Sequence, residues 1–225
     1  MMNAADALAQ LMALQSDEKA AQMAAYHKVE RPYLGVSNPE IDVLYKQWRV
    51  EFDGDARVEL ALLLWDSNIH EARIAAAKLL TQARIKPDDA VWDEICRWVP
   101  QFDAWAIADH ASGAGARRLI AHPERLDLVE TWTQDENIWV RRAALVMTLP
   151  WTKQNHPSDD ELAQRDRILG WAAGYVNDSE WFIQKAIGWW LRSLSKHDKP
   201  RVVAFLDQHG DAMKAFAVKE ARKYL

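Results

Sequence analysis

The chain has a single cysteine, Cys96, in 225 residues. That count excludes an intramolecular disulfide and a cysteine-based zinc cluster. Gly and Pro number only eight each, so turns are few and the elements between them long. No run of about 18 apolar residues is present to cross a membrane as a helix. The first residues, Met1-Met2-Asn3-Ala4-Ala5-Asp6, lack the basic region and apolar stretch of a signal peptide. A reducing, cytoplasmic location and no membrane partner are expected. The seven histidines show no HExxH-type ligand spacing, and no carboxylate pairing specifies a metal. The small residues Ser112-Gly113-Ala114-Gly115-Ala116 lie in a helical stretch and follow no strand, which excludes a phosphate-binding glycine loop. GxSxG is missing as well, and Cys96 has no evident base partner. No cofactor and no metal are expected.

What is present reads as helix almost throughout. An apolar content of 49% with 27% charged residues is a balance that buries a core, so disorder is excluded. Asn38-Pro39-Glu40 reads as an N-cap, a first-turn proline and an acidic first turn, opening a helix with Ile41, Leu44, Tyr45 and Trp48 on one face. Residues 56–65 and 69–82 follow as a pair. Lys86-Pro87-Asp88-Asp89 opens a helix whose face is Val91, Trp92, Ile95, Trp98 and Val99. Residues 126–132 pair with 138–149. Ser158 to Glu161 caps a helix through Tyr175, paired with 181–195, and residues 202–209 and 211–224 close the chain. No period-2 alternation with turn chemistry intervenes. These readings give one domain over residues 1–225, an all-α solenoid of about six helix pairs, the second helix of each pair lining a concave face.

Four stretches can be laid over one another, starting at Asn68, Asp103, Asn137 and Glu180, with spacings of 35, 34 and 43 residues. The stretched last spacing is accounted for by residues 150–157. Two residues on stand His70, Trp105, Trp139 and Phe182; five on, Arg73, Ala108, Arg142 and Lys185; six on, Ile74, Asp109, Ala143 and Ala186. Asp109 therefore occupies a slot the repeat fills with apolar side chains, and shares a helix face with Trp105 one turn earlier. Trp189 is a second exception, because its slot elsewhere holds Ala77, Ser112 and Val146. Trp139, Trp181 and Trp190 are read as core residues, and Arg73 as a tie between helices. Arg142, beside Arg141, has the chemistry to hold a phosphate bidentately. Lys185, Arg192 and Lys196 continue a basic face at spacings of 7 and 4. Up to residue 110 the chain has 11 basic and 18 acidic residues, net −7; the remainder has 17 and 15, net +2. An anionic partner is expected mainly at the C-terminal half.

With these residues assembled, the chain resembles the AlkD-like family of bacterial DNA alkylation repair glycosylases, built from HEAT-like repeats. The carriers are Tyr26-His27-Lys28, Pro32-Tyr33-Leu34-Gly35-Val36, Asp103-Ala104-Trp105 with Asp109, the run 137–144 and the run 182–189. The resemblance implies a HEAT-like solenoid whose concave face binds DNA, with Asp109 the catalytic carboxylate and Trp105 and Trp189 packing on the lesion's deoxyribose. It further implies that Arg142 contacts the DNA backbone and that Tyr26 lies near the site; Arg141, Lys185 and Arg192 are expected to join it in binding DNA. Ala106 stands where many relatives place an acid, and Arg31-Pro32-Tyr33 alters the usual aromatic-Pro-Phe entry. The implied activity is monofunctional hydrolysis of the N-glycosidic bond of N3- or N7-alkylated purines in duplex DNA, without lyase chemistry. The implied partner is alkylated double-stranded DNA, met by a monomer in the bacterial cytoplasm at the nucleoid. The sequence shows no evident base-binding pocket, which suits a lesion left in the duplex. The alternatives are a non-catalytic HEAT-like scaffold for a protein partner and a DNA binder that has lost excision.

Overall fold

A computed structural model describes residues 3–225. Thirteen α-helices joined by short 3-10 turns make up these residues, and no strand is found among them. The all-α expectation holds. The chain divides into two compact units, Met1–Arg118 and Leu119–Leu225.

In the first unit the order is α1 (Ala4–Met12), α2 (Asp17–His27), α3 (Asn38–Glu51), α4 (Gly54–Asp66), α5 (His70–Leu80), α6 (Asp89–Trp98) and α7 (Trp105–Ala121), whose last turn crosses the division. The packing centre is α5, which lies against α3 and α4. Its run of alanines explains this: Ala72, Ala75, Ala76 and Ala77 are buried and let the neighbouring helices come close. Trp65 of α4 stacks on Trp98 of α6, 4.2 Å apart and 6° from parallel, and its indole N–H donates to Gln101. Arg73 donates to the Trp65 carbonyl and to Gln101, the tie between helices expected of it. Arg118 and Asp88 form a buried ion pair at 3.3 Å.

In the second unit the order is α8 (Leu126–Thr131), α9 (Ile138–Met147), α10 (Asp159–Gly174), α11 (Trp181–Leu194), α12 (Lys199–His209) and α13 (Ala215–Ala221). Its centre is α11, packed on α9 and α13. Gly188 makes the second contact possible: a Cβ there would stand 3.0 Å from the Ala217 carbonyl oxygen. Arg165 is buried and fastens α10, donating to the Trp151 and Gln154 carbonyls and to Asp198.

Several local expectations need correction. The cap of α3 is Ser37, in a capping box with Glu40; Asn38 is already helical. The box at Ser158 and Glu161 stands as read. Residues 211–224 are not one helix, because extended Met213 and Lys214 separate a 3-10 turn from α13. The N-terminal helices α1 and α2 were not read from the sequence, although α1 opens with a capping box of Asn3 and Asp6 and buries Ala7 and Leu11 one turn apart; α2 buries none of its residues. Trp190 is core, but Trp181 is 48% exposed and Trp139 only half-buried.

Candidate functional site

The four aligned stretches each open a helix: α5, α7, α9 and α11. In the slot of Asp109, Ile74, Ala143 and Ala186 are all buried, while Asp109 is half-buried. In the slot of Trp189, Ala77, Ser112 and Val146 are buried, while Trp189 is half-buried. Both exceptions in the sequence are therefore exceptions in exposure.

In the first unit Trp105 opens α7 and is 37% exposed, one turn before Asp109. It meets two rings from the end of α2: Tyr26 edge-on at 6.4 Å, and His27 at 5.7 Å. The chain after α2 is held by two anchors. The Glu71 carboxylate, buried at the start of α5, accepts the backbone N–H groups of Leu34, Gly35 and Val36. Gly35 is there by necessity, since its φ is +77° and a Cβ would stand 2.5 Å from the Ser16 carbonyl oxygen. The second anchor is an ion pair from buried Arg31 to Asp103, two residues before Trp105. Together they fix the segment that presents Tyr26 and His27 to Trp105.

Behind these rings lies a cavity of about 140 Å³, lined by Tyr26, His27, His70, Trp105 and His110 among others. The sequence had given no sign of it. Burial pushes His70 down to about 3, helped by His27, Arg31 and His110. His27 and His110 are also lowered, each mainly by burial; the nearby Lys78 cation adds to it at His110, where Asp109 and Asp42 oppose. The imidazoles are thus held neutral at neutral pH. This histidine cluster was missed. Its one trace in the sequence is His70 standing in the aromatic slot of Trp105, Trp139 and Phe182.

In the second unit α11 presents Trp181, Lys185, Trp189 and Arg192 on one face, at spacings of 4, 4 and 3. They line a groove of about 300 Å³ with Phe216 and Glu220. Lys185 Nζ lies 4.7 Å from the Trp181 ring centroid, and Trp181 stacks on Phe216 at 5.6 Å. Arg192 forms an ion pair with Glu220. Lys196, the next basic residue on that face, lies over Tyr224. The structure thus brings Lys185, Trp189 and Arg192 together. Arg142 differs from the backbone-contacting role expected of it: it is 2% exposed, and its Nη1 donates to the Phe182 carbonyl, fastening α9 to α11. Arg141 is likewise occupied, by the Asp135 and Glu136 carbonyls and by Asp178. Among the described residues no group of three or more His, Cys, Asp or Glu is placed to hold a metal ion.

Residues 7–225 match the family described as DNA alkylation repair enzyme, and the chain belongs to that family. A solved structure described as a "predicted DNA alkylation repair enzyme from Enterococcus faecalis" is 25% identical; the match covers 94% of this chain and 96% of that one, with a TM-score of 0.78. AlkD2 from Streptococcus mutans is 19% identical, with 92% and 98% covered and a TM-score of 0.61, a likeness of fold. Among curated proteins none matches.

Proposed function

We propose that this chain is a monofunctional DNA glycosylase that releases cationic N3- or N7-alkylated purines from duplex DNA. The observation that carries the reading is the half-buried carboxylate of Asp109 in a slot that three other repeats bury as Ile74, Ala143 and Ala186. Family membership supports DNA alkylation repair as the setting.

The chemistry needs little from the protein. An alkylated purine already carries positive charge, so the electron pair of the glycosidic bond leaves with the base and neutralises it. No acid is required to protonate the leaving group. What rises in energy is the oxocarbenium-like sugar. A carboxylate beside C1′ stabilises that charge and orients a water whose oxygen bonds to C1′ and whose proton is then lost to Asp109 or solvent. The face of Trp105, one turn before Asp109, favours a cationic sugar by about 0.5–2 kcal/mol. His27, His70 and His110, held neutral, add no positive charge against a cationic lesion. Lys185 and Arg192 supply cations to the DNA backbone, and Tyr26 supports Trp105. No step asks for a metal, a cofactor or a lysine nucleophile.

The test is release of 7-methylguanine from methylated duplex DNA. The wild type should release base, and Asp109→Asn should lower kcat by about 10²-fold or more with an unchanged melting temperature. Release by Asp109→Asn at the wild-type rate overturns the role of the carboxylate. A wild type that binds the duplex and frees no base would instead be a binder without excision.

A further inference from the structure

The first unit contains eight arginines, and their bonding separates them into two groups. Arg31 pairs with Asp103, Arg73 with the Trp65 carbonyl and Gln101, and Arg97 with Glu94 and Asp66. Arg57 donates to Gln82 and to the Arg49 and Phe52 carbonyls, and Arg118 pairs with Asp88. Arg49, Arg84 and Arg117 are exposed, and their side chains make no hydrogen bond or ion pair among the described residues. These three come from separate elements: the last turn of α3, the turn after α5, and α7. All three line one groove of about 440 Å³, with Lys78 and Gln82. Gln82 adds a donor, because its Oε1 accepts from Arg57 while its buried Nε2 has no partner.

Three guanidiniums gathered without a carboxylate repel one another, and an unpaired buried N–H is costly. The negative end of the α3 macrodipole accounts for Arg49 but not for Arg84, which lies outside any helix. The groove offers donors and positive charge, which is the complement of phosphate oxygens. Lys78, on its wall, is paired with Asp42, so the positive charge left to the groove is that of the three arginines. We infer that this groove holds the phosphodiester backbone of the DNA duplex, with Arg49, Arg84 and Arg117 as its phosphate ligands. The inference rests on the reading of duplex DNA as substrate. It reverses the expectation, drawn from a net charge of −7 over residues 1–110, that an anionic partner meets mainly the C-terminal half. Net charge misleads here because no carboxylate lines the groove, while Arg49, Lys78 and Arg84 of residues 1–110 and Arg117 beyond them do.

The test uses an unmodified duplex of about 20 base pairs, so that it does not depend on excision. Affinity is measured between about 50 and 200 mM salt for the wild type, for Arg84→Ala with Arg117→Ala, and for Arg84→Lys with Arg117→Lys. The alanine pair should reduce the slope of log affinity against log salt by about 1.8, two phosphate contacts, and the lysine pair should restore most of it. An unchanged slope in the alanine pair overturns the inference. Inorganic phosphate titrated onto the same proteins separates a free anion from the backbone: saturation that the alanine pair loses, with the duplex slope unchanged, overturns it too. A full slope change in a protein that releases no base would support the groove and refute only the glycosylase reading.

Discussion

Tyr26 stands edge-on to Trp105, with ring centroids 6.4 Å apart and ring planes at 84°. The contact joins the end of α2 to the first residue of α7, and it exists because Arg31–Asp103 and the Glu71 carboxylate pin the chain between them. Trp105 is therefore backed by a neighbour, and that neighbour is itself 70% exposed.

Removal of either ring should slow base release. Trp105→Ala is expected to cost about 2- to 30-fold in rate, the loss of one aromatic face towards a cationic sugar. Tyr26→Ala should cost less, and Tyr26→Phe almost nothing, because the phenol oxygen has no part in the ring contact. A double-mutant cycle on single-turnover rates should give a coupling of about 0.5–1.5 kcal/mol. Strict additivity would mean that Tyr26 does not support Trp105.

Arg142→Ala is expected to destabilise the protein by about 1.5–3 kcal/mol, the range for a hydrogen bond made by a charged donor, here to the Phe182 carbonyl. Chemical denaturation measures this directly. If the denaturation midpoint stays put while the salt slope of DNA binding drops by one phosphate contact, Arg142 holds the backbone role that the family resemblance implied.

Acid should weaken the fold before it reaches the ordinary carboxylate range. His70 ordinarily titrates at 6.5 but is held at about 3 by burial, so between those values the unfolded chain binds a proton that the folded chain refuses. Its contribution is complete above pH 6.5 and is lost as pH falls towards 3, by up to about 1.4 kcal/mol per pH unit. Urea midpoints at pH 7, 6 and 5 should fall more steeply for the wild type than for His70→Phe. Parallel profiles would show that His70 is accessible to protons in the folded state.

Much of the helical frame was legible because its signals are local. The cap at Ser158 and Glu161, the heptad-like face of α3 and the start of each aligned stretch depend on residues within a few positions of one another. The helix α2 was not legible for a related reason. It buries none of its residues, so it has no apolar stripe to read. The break at Met213 and Lys214 was hidden by side chains that suit a helix on either side. The slot rule picked out Asp109 and Trp189, and both are half-buried where their counterparts in the other repeats are buried.

The sequence by itself determined the helical class, the register of the four repeated helices and the two positions where the repeat is broken. Periodicity and capping decide these, and both act over a turn or two. Only the tertiary structure decided which basic residues remain available. Arg31 finds its carboxylate at Asp103 and Lys78 finds Asp42, while Arg142 is spent on a backbone carbonyl from α11. Arg49, Arg84 and Arg117, unremarkable along the chain, converge on one groove. Charge is satisfied by neighbours in space, and those neighbours stand tens of residues away in sequence.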